Sequence, residues 1–221
     1  MRGGPGRAAP CTGQMVGVDL GVGAVLATSD GRLVENARFA RRRQRALSQA
    51  QRELATKKKG SHRREKARER VPAQHRKVRN QRRDFAHQVS RRLVGDYDLI
   101  VFEDLKIQHM TRRPKPRRDG KGGYEPNRAK AKTGLNRAIL DAGWGDLLAM
   151  TTYKAESAGR DVVVVDPPNT SPRCAVCGHV SVGNRCGAVF RCQACRHEAH
   201  AHTNAAVNIL GAGRARQRLA A

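Results

Sequence analysis

Asp19 interrupts the otherwise apolar run Met15-Val-Gly-Val-Asp19-Leu20 just ahead of a glycine turn, and Glu103 closes a second apolar run, Leu99-Ile-Val-Phe102. A lone carboxylate in such a setting is costly unless a partner offsets the lost hydration. Two kinds of partner are available, a divalent cation or one of the chain's many arginines. Carboxylates on adjacent strand ends can hold Mg2+, and a pair of such ions clamps the attacking and leaving oxygens of a phosphodiester under hydrolysis. The residue pattern alone leaves both pairings open.

A second ligand set lies further along. Cys174 and Cys177, then Cys192 and Cys195, form two C-x-x-C pairs with fourteen residues between them. The two-residue gap lets each pair bite the same tetrahedral Zn2+. A pair of disulfides is the alternative. The opening Met-Arg-Gly-Gly-Pro-Gly-Arg carries no apolar signal-peptide core, which favours a reducing compartment and therefore structural zinc. Cys11 and Cys186 are left as free thiols, because the other four already complete a zinc shell.

The charge of the chain points to a polyanion. Its 221 residues carry 44 Lys+Arg against 19 Asp+Glu, a formal net charge of +25. Residues 41–92 hold twenty Lys/Arg and four Asp/Glu, and residues 112–132 hold nine and two. These two segments account for nearly all of the excess, so the remainder is an ordinary scaffold bearing two basic stretches. Arg41, Arg42, Arg43, Lys57, Lys58, Lys59, Arg63, Arg64, Arg82, Arg83, Arg112 and Arg113 are the candidate phosphate contacts. No apolar helix face accompanies them and no run is long and apolar enough to span a bilayer, so a membrane is not the expected partner. Aromatic residues make up only 4%, which argues against base stacking as the main contact.

The elements that must position these groups form an α/β pattern. Residues 1–14 read as an unstructured leader. Strands are expected over Met15–Leu20 and Ala24–Ser29, followed by a third from Arg32 to Phe39, with turns at Gly21–Gly23 and Asp30-Gly31. Helix formers dominate 41–94, with breaks near Lys59-Gly-Ser61 and near Val71-Pro72. Leu99–Phe102 is a strand buried on both faces. The basic stretch 106–136 reads as an exposed loop, Asn136–Gly159 as one helix, Asp161–Val165 as a buried strand, and Thr203–Leu210 as a closing helix.

Five segments together carry a resemblance: Gly17-Val-Asp19-Leu-Gly21, Val101-Phe-Glu103-Asp-Leu105, the run Asp166 to Gly178 with its first cysteine pair, Phe190-Arg-Cys192-Gln-Ala-Cys195, and Thr203-Asn204-Ala-Ala-Val-Asn208-Ile-Leu. In order and spacing they resemble the TnpB/OrfB family, insertion-sequence proteins related to the type V CRISPR effectors. The resemblance covers about residues 15–213. It implies a split RNase H-like, RuvC-like mixed sheet over 15–169, a zinc ribbon over 170–198 inserted before the final segment 199–221, and a prokaryotic, cytoplasmic, nucleoid-associated setting.

The resemblance further implies RNA-guided, divalent-metal-dependent cleavage of DNA, with guide RNA and DNA as partners. Asp19 and Glu103 would be two of the catalytic metal ligands, for Mg2+ or Mn2+. The family's third acid lies two residues before Asn-Ala-Ala, and that position here is His202. Imidazole is neutral near pH 7 and suits softer metals than Mg2+, so the expectation is a nuclease impaired at its third ligand. The alternative is a nucleic-acid-binding or regulatory remnant that does not cut. Family members also carry a guide-gripping N-terminal half, which is expected to be missing from this chain.

If the two basic segments contact six or more phosphates, affinity for DNA should fall by about a thousandfold or more between about 50 and 200 mM salt. A flat salt response in a filter-binding titration would remove the basic segments as the binding surface.

Overall fold

The computed structural model describes residues 10–166 and 168–220. Strand β1 (Met15–Leu20) turns at Gly21 into β2 (Ala24–Thr28) and then β3 (Leu33–Glu35), giving the expected antiparallel meander. Helices α1 (Phe39–Thr56) and α2 (His62–Asp96) form a long basic hairpin leading to β4 (Leu99–Glu103). A short turn of helix, α3 (Ile107–Met110), precedes a loop, and α4 (Ala129–Ala142) and α5 (Trp144–Ala158) lead to β5 (Asp161–Val165). The cysteine-bearing segment contributes β6 (Arg185–Cys186), β7 (Val189–Arg191) and β8 (Glu198–His200), and α6 (Ala201–Ala220) follows without a gap. Among the described residues no helix is long and apolar enough to cross a membrane.

The main sheet has the order β3-β2-β1-β4-β5, antiparallel through the meander and parallel across β1, β4 and β5. A mixed five-stranded sheet of this kind needs cover on both faces, because strands such as Leu99–Phe102 are apolar on both. Strand alternation sorts the residues. Val16, Val18, Ile100 and Phe102 pack with Val89 and Leu93 of α2 and Leu147 of α5 on one face. Leu99, Val101 and Val165 pack with Ile209 of α6 on the other.

That second contact requires backbone against backbone. A Cβ placed on Gly17 would meet the carbonyl oxygen of Ala206 at 2.0 Å and Leu210 N at 2.7 Å, and one on Gly213 would meet Val101 Cγ2 at 2.4 Å. Helix α6 therefore lies on the sheet at a distance that only glycine permits. Trp144 Nε1 donates to the Gly21 carbonyl at 3.1 Å and pins the start of α5 to the β1–β2 turn.

Several expectations are corrected. Val71-Pro72 does not break the helix, which runs from His62 to Asp96 with Pro72 inside it. Pro72 and Arg68, whose carbonyl loses its donor, both face solvent, where water replaces the missing bond. The 106–136 stretch is not all loop, since α4 begins seven residues before the expected Asn136; Lys132 Nζ donates to the Met110 carbonyl and Asn136 Nδ2 to that of Thr111, tying α4 back to α3. The single helix expected over 136–159 is two, broken at Gly143 in a left-handed conformation, φ 70°. Strand β5 is an edge strand and only half-buried. Strand β3 is three residues long rather than eight, and α6 extends ten residues beyond the expected Leu210.

Part of the expected leader is ordered. Thr12 N and Gly13 N both donate to the Asp98 carboxylate, at 2.9 and 2.7 Å, and buried Arg160 pairs with Asp98 while donating to the Pro10 carbonyl at 2.6 Å. Residues 1–9 of that leader lie outside the described residues.

Gly17→Ala should lower stability by about 3 kcal/mol or more, because the obstacle is helix backbone that cannot swing aside. A melting temperature within about 2 °C of wild type would mean that α6 does not sit on β1 as described.

Candidate active site and metal-binding ribbon

The parallel register of β1 and β4 pairs Val18 with Phe102, so Asp19 and Glu103 occupy the next rung on the face covered by α6. Asp19 is 6% exposed and Glu103 is half-buried. Burial first, and then the negative charges of Asp19 and Asp166, push the Glu103 carboxyl above its ordinary pKa. Asp166 was not among the residues expected at this site. It follows β5 directly, as Glu103 ends β4 and Asp19 lies one residue from the end of β1, and an acid at the end of a third parallel strand was the available signal.

The first turn of α6 brings His202 to the same place. His202 Nδ1 lies 2.5 Å from Asp19 Oδ2, and Arg185 Nη2, from β6, lies 3.5 Å from His202 Nε2. A guanidinium only donates and an ionised carboxylate only accepts, so the partners assign the ring proton to Nδ1 and leave Nε2 as acceptor. The result is a chain of contacts from Arg185 through His202 to Asp19. The site is an acidic floor with one basic side chain already docked on it.

This set does not fit a pair of hard ions. Mg2+ takes oxygen ligands, one oxygen of Asp19 is engaged by the imidazole, and the four cysteines are the one group of three or more ligand atoms within 4.8 Å of each other among the described residues. His200 stacks obliquely beside His202 with ring centroids 5.6 Å apart, and its buried Nδ1 has no hydrogen-bond partner.

The cysteines do fit a metal. Cys174 Sγ is 3.7 Å from Cys195 Sγ, and Cys177 Sγ is 3.6 Å from Cys192 Sγ. Tetrahedral Zn–S bonds of about 2.3 Å place sulfurs about 3.8 Å apart. Cys195 N–H, 3.5 Å from Cys192 Sγ, is the first of the contacts that lower the Cys192 thiol, while the sulfurs of Cys177, Cys192 and Cys174 push that of Cys195 up, as expected where clustered thiols would share charge without a cation between them. Cys186, on β6, is exposed and outside the cluster, as is Cys11.

Most of the basic residues are displayed to solvent: Arg41, Arg42, Lys57, Lys58, Lys59, Arg63, Arg83, Arg112 and Arg113 are exposed and Arg43 partly so. Arg41, Arg42, Arg45 and Arg52 line two adjoining open troughs along α1. Two others are committed to the hairpin itself. Arg64 donates to the Leu54 and Lys57 carbonyls at 2.8 and 3.0 Å, closing the end of α1. Arg82 makes a two-pronged contact with Asp141, whose carboxylate also accepts from Ala40 N at the start of α1.

Because the raised Glu103 pKa means that the folded state holds that proton more tightly, this group's penalty is absent below the ordinary glutamate value, about 4.3, and grows as pH rises above it. Glu103→Gln should therefore melt higher than wild type at pH 7 without added divalent ions, and the gain should vanish near pH 4. A lower melting temperature at pH 7 would show that Glu103 is compensated in the resting protein.

The OrfB_IS605 family model, described as "Probable transposase", matches residues 5–113, and that of the Cas12f1-like TNB domain matches 144–209. A protein of Escherichia coli K12 named "Putative RNA-guided DNA endonuclease InsQ" is 37% identical over 202 residues, 91% of this chain and 49% of that protein. A "Putative RNA-guided DNA endonuclease" of Streptomyces pristinaespiralis is 35% identical over 215 residues, 93% of this chain and 46% of its own. The fold is shared with a Cas12f1 chain solved in complex with sgRNA and target DNA, at a TM-score of 0.59 and 17% identity over 92% of this chain and 51% of that one. The chain spans about half the length of the curated relatives it matches. By this similarity, which runs through nine-tenths of its residues, it belongs to the TnpB/OrfB family of transposon-encoded proteins.

Proposed function

We propose that the chain is the RuvC-like and zinc-ribbon module of an RNA-guided DNA endonuclease, that it binds DNA and guide RNA through its basic hairpin and loop, and that cleavage is weakened by His202. The observation that carries the reading is the 2.5 Å contact between His202 Nδ1 and Asp19 Oδ2. An acid at position 202 would be repelled by Asp19 and Glu103 unless cations lay between them. An imidazole instead donates to Asp19 and removes the need for that ion.

The ribbon cysteines would hold structural Zn2+, which supplies fixed geometry and no step of the reaction. At the sheet end, Mg2+ or Mn2+ would be left with Asp19 and Glu103, with Asp166 a further carboxylate near Glu103. The exposed arginines of α1 and the Arg112–Arg113 loop neutralise phosphates and draw nucleic acid toward an otherwise repelling acidic floor. On this reading binding and positioning persist while hydrolysis is slowed.

Purified protein incubated with single-stranded and duplex DNA in Mg2+ or Mn2+ tests the reading beside His202→Asp and Asp19→Ala. His202→Asp should cut at least about tenfold faster than wild type, a gain of about 1.4 kcal/mol, and Asp19→Ala should not cut. Wild-type cleavage as fast as that of His202→Asp, and lost in Asp19→Ala, would overturn the impairment.

A further inference from the structure

The two asparagines of the Asn204-Ala-Ala-Val-Asn208 run have no part in the site just described, yet both are engaged. Asn204 is 2% exposed and faces the first cysteine knuckle. Its Oδ1 accepts from Ala175 N at 3.0 Å, and its Nδ2 donates to the Arg173 carbonyl at 2.7 Å. The side-chain amide thus grips the backbone on either side of Cys174. One turn on, Asn208 Nδ2 donates to the carbonyls of Thr170 and Arg173 at 2.9 and 2.8 Å.

The head of α6 is also part of the ribbon's interior. Ala201 is buried with Cys174, Phe190 and Cys192, and its N–H donates to the Ala188 carbonyl at 2.8 Å. His202 and Asn204 are two positions apart, about 200° around the helix. One side of the first turn therefore faces the ribbon while the other presents His202 to Asp19. The first turn of any helix has N–H groups without intrahelical partners and frays unless something holds it. Here the holder is a segment whose own geometry depends on four thiolates sharing an ion.

We infer that Asn204 and Asn208 are positioning residues that couple metal loading of the cysteine knuckles to the placement of His202 at Asp19. The inference rests on the reading of the cysteines as a zinc site. With the ion bound, residues 170–175 are fixed, the asparagine amides find their partners, and α6 is clamped at its head. Without it, the knuckle backbone loses its shape, the amides lose those partners, and the first turn of α6 releases His202. Arg185, which reaches Nε2 from within the ribbon, adds a second link in the same direction. The zinc ribbon then acts as the anchor of the helix that covers the acidic end of the sheet.

The test follows the zinc content, the zinc-dependent gain in melting temperature and the ring-nitrogen NMR signals of His202, identified by their loss in His202→Asn. Wild type should bind one Zn2+ per chain, gain stability on loading, and show a hydrogen-bonded Nδ1 proton only when loaded. Asn208→Ala, the milder change at a partly exposed position, and Asn204→Ala should still take up one Zn2+ but show at most about half the wild-type gain, with the Nδ1 proton signal weakened or lost. A residue that merely supports α6 would lower the melting temperature equally with and without zinc. Failure to bind zinc at all would overturn the zinc reading beneath the inference. Zinc uptake with an undiminished gain in both variants, or a His202 signal that persists in zinc-free wild type, would overturn the coupling alone.

Discussion

The approach of α6 to β1 is the constraint on which the rest depends. A polypeptide helix can lie this close to a strand only where side chains are absent, and Gly17 and Gly213 provide the two gaps. Ala206 and Ile209, both fully buried, lie in the interface beside them. Because the helix cannot slide without a backbone clash, its first turn, once formed, holds the side chain at position 202 over the carboxylate at position 19. Whatever residue occupies 202 decides the electrostatics of the site.

With histidine there, the acidic end of the sheet is partly satisfied from within. Asp19 has a hydrogen-bond donor, His202 has Arg185 behind it, and Glu103 keeps the strain of burial and of its like-charged neighbours Asp19 and Asp166. The surrounding cations serve two distinct purposes. Arg64, Arg82 and Arg160 are used inside the fold, closing helix ends and pairing with Asp141 and Asp98, whereas the α1 face and the 112–113 stretch are exposed. A net charge of +25 thus overstates the charge offered to solvent, because part of it is structural.

The sequence made the central strands legible because apolar runs bounded by turn residues have few alternatives, and the cysteine spacing announced a tetrahedral cluster for the same kind of reason. Asp19 and Glu103 stood out as carboxylates in apolar runs and do meet on one rung. What could not be read were effects set by distant partners. Pro72 passes through a helix because solvent replaces its missing donor; Gly143 breaks a helix that periodicity alone would continue; Arg82 looks like its exposed neighbour Arg83 until Asp141 is placed beside it. Asp166 and Asn204 belong to the same class, since their importance comes from elements sixty-odd and about thirty residues away.

The central claim is that His202 stands where a cation would otherwise be needed. Titration of the zinc-loaded protein with Mn2+, followed by electron paramagnetic resonance, measures it directly. No Asp19-dependent Mn2+ site is expected in wild type at concentrations that saturate His202→Asp. A wild-type site of equal affinity that disappears in Asp19→Asn would contradict it.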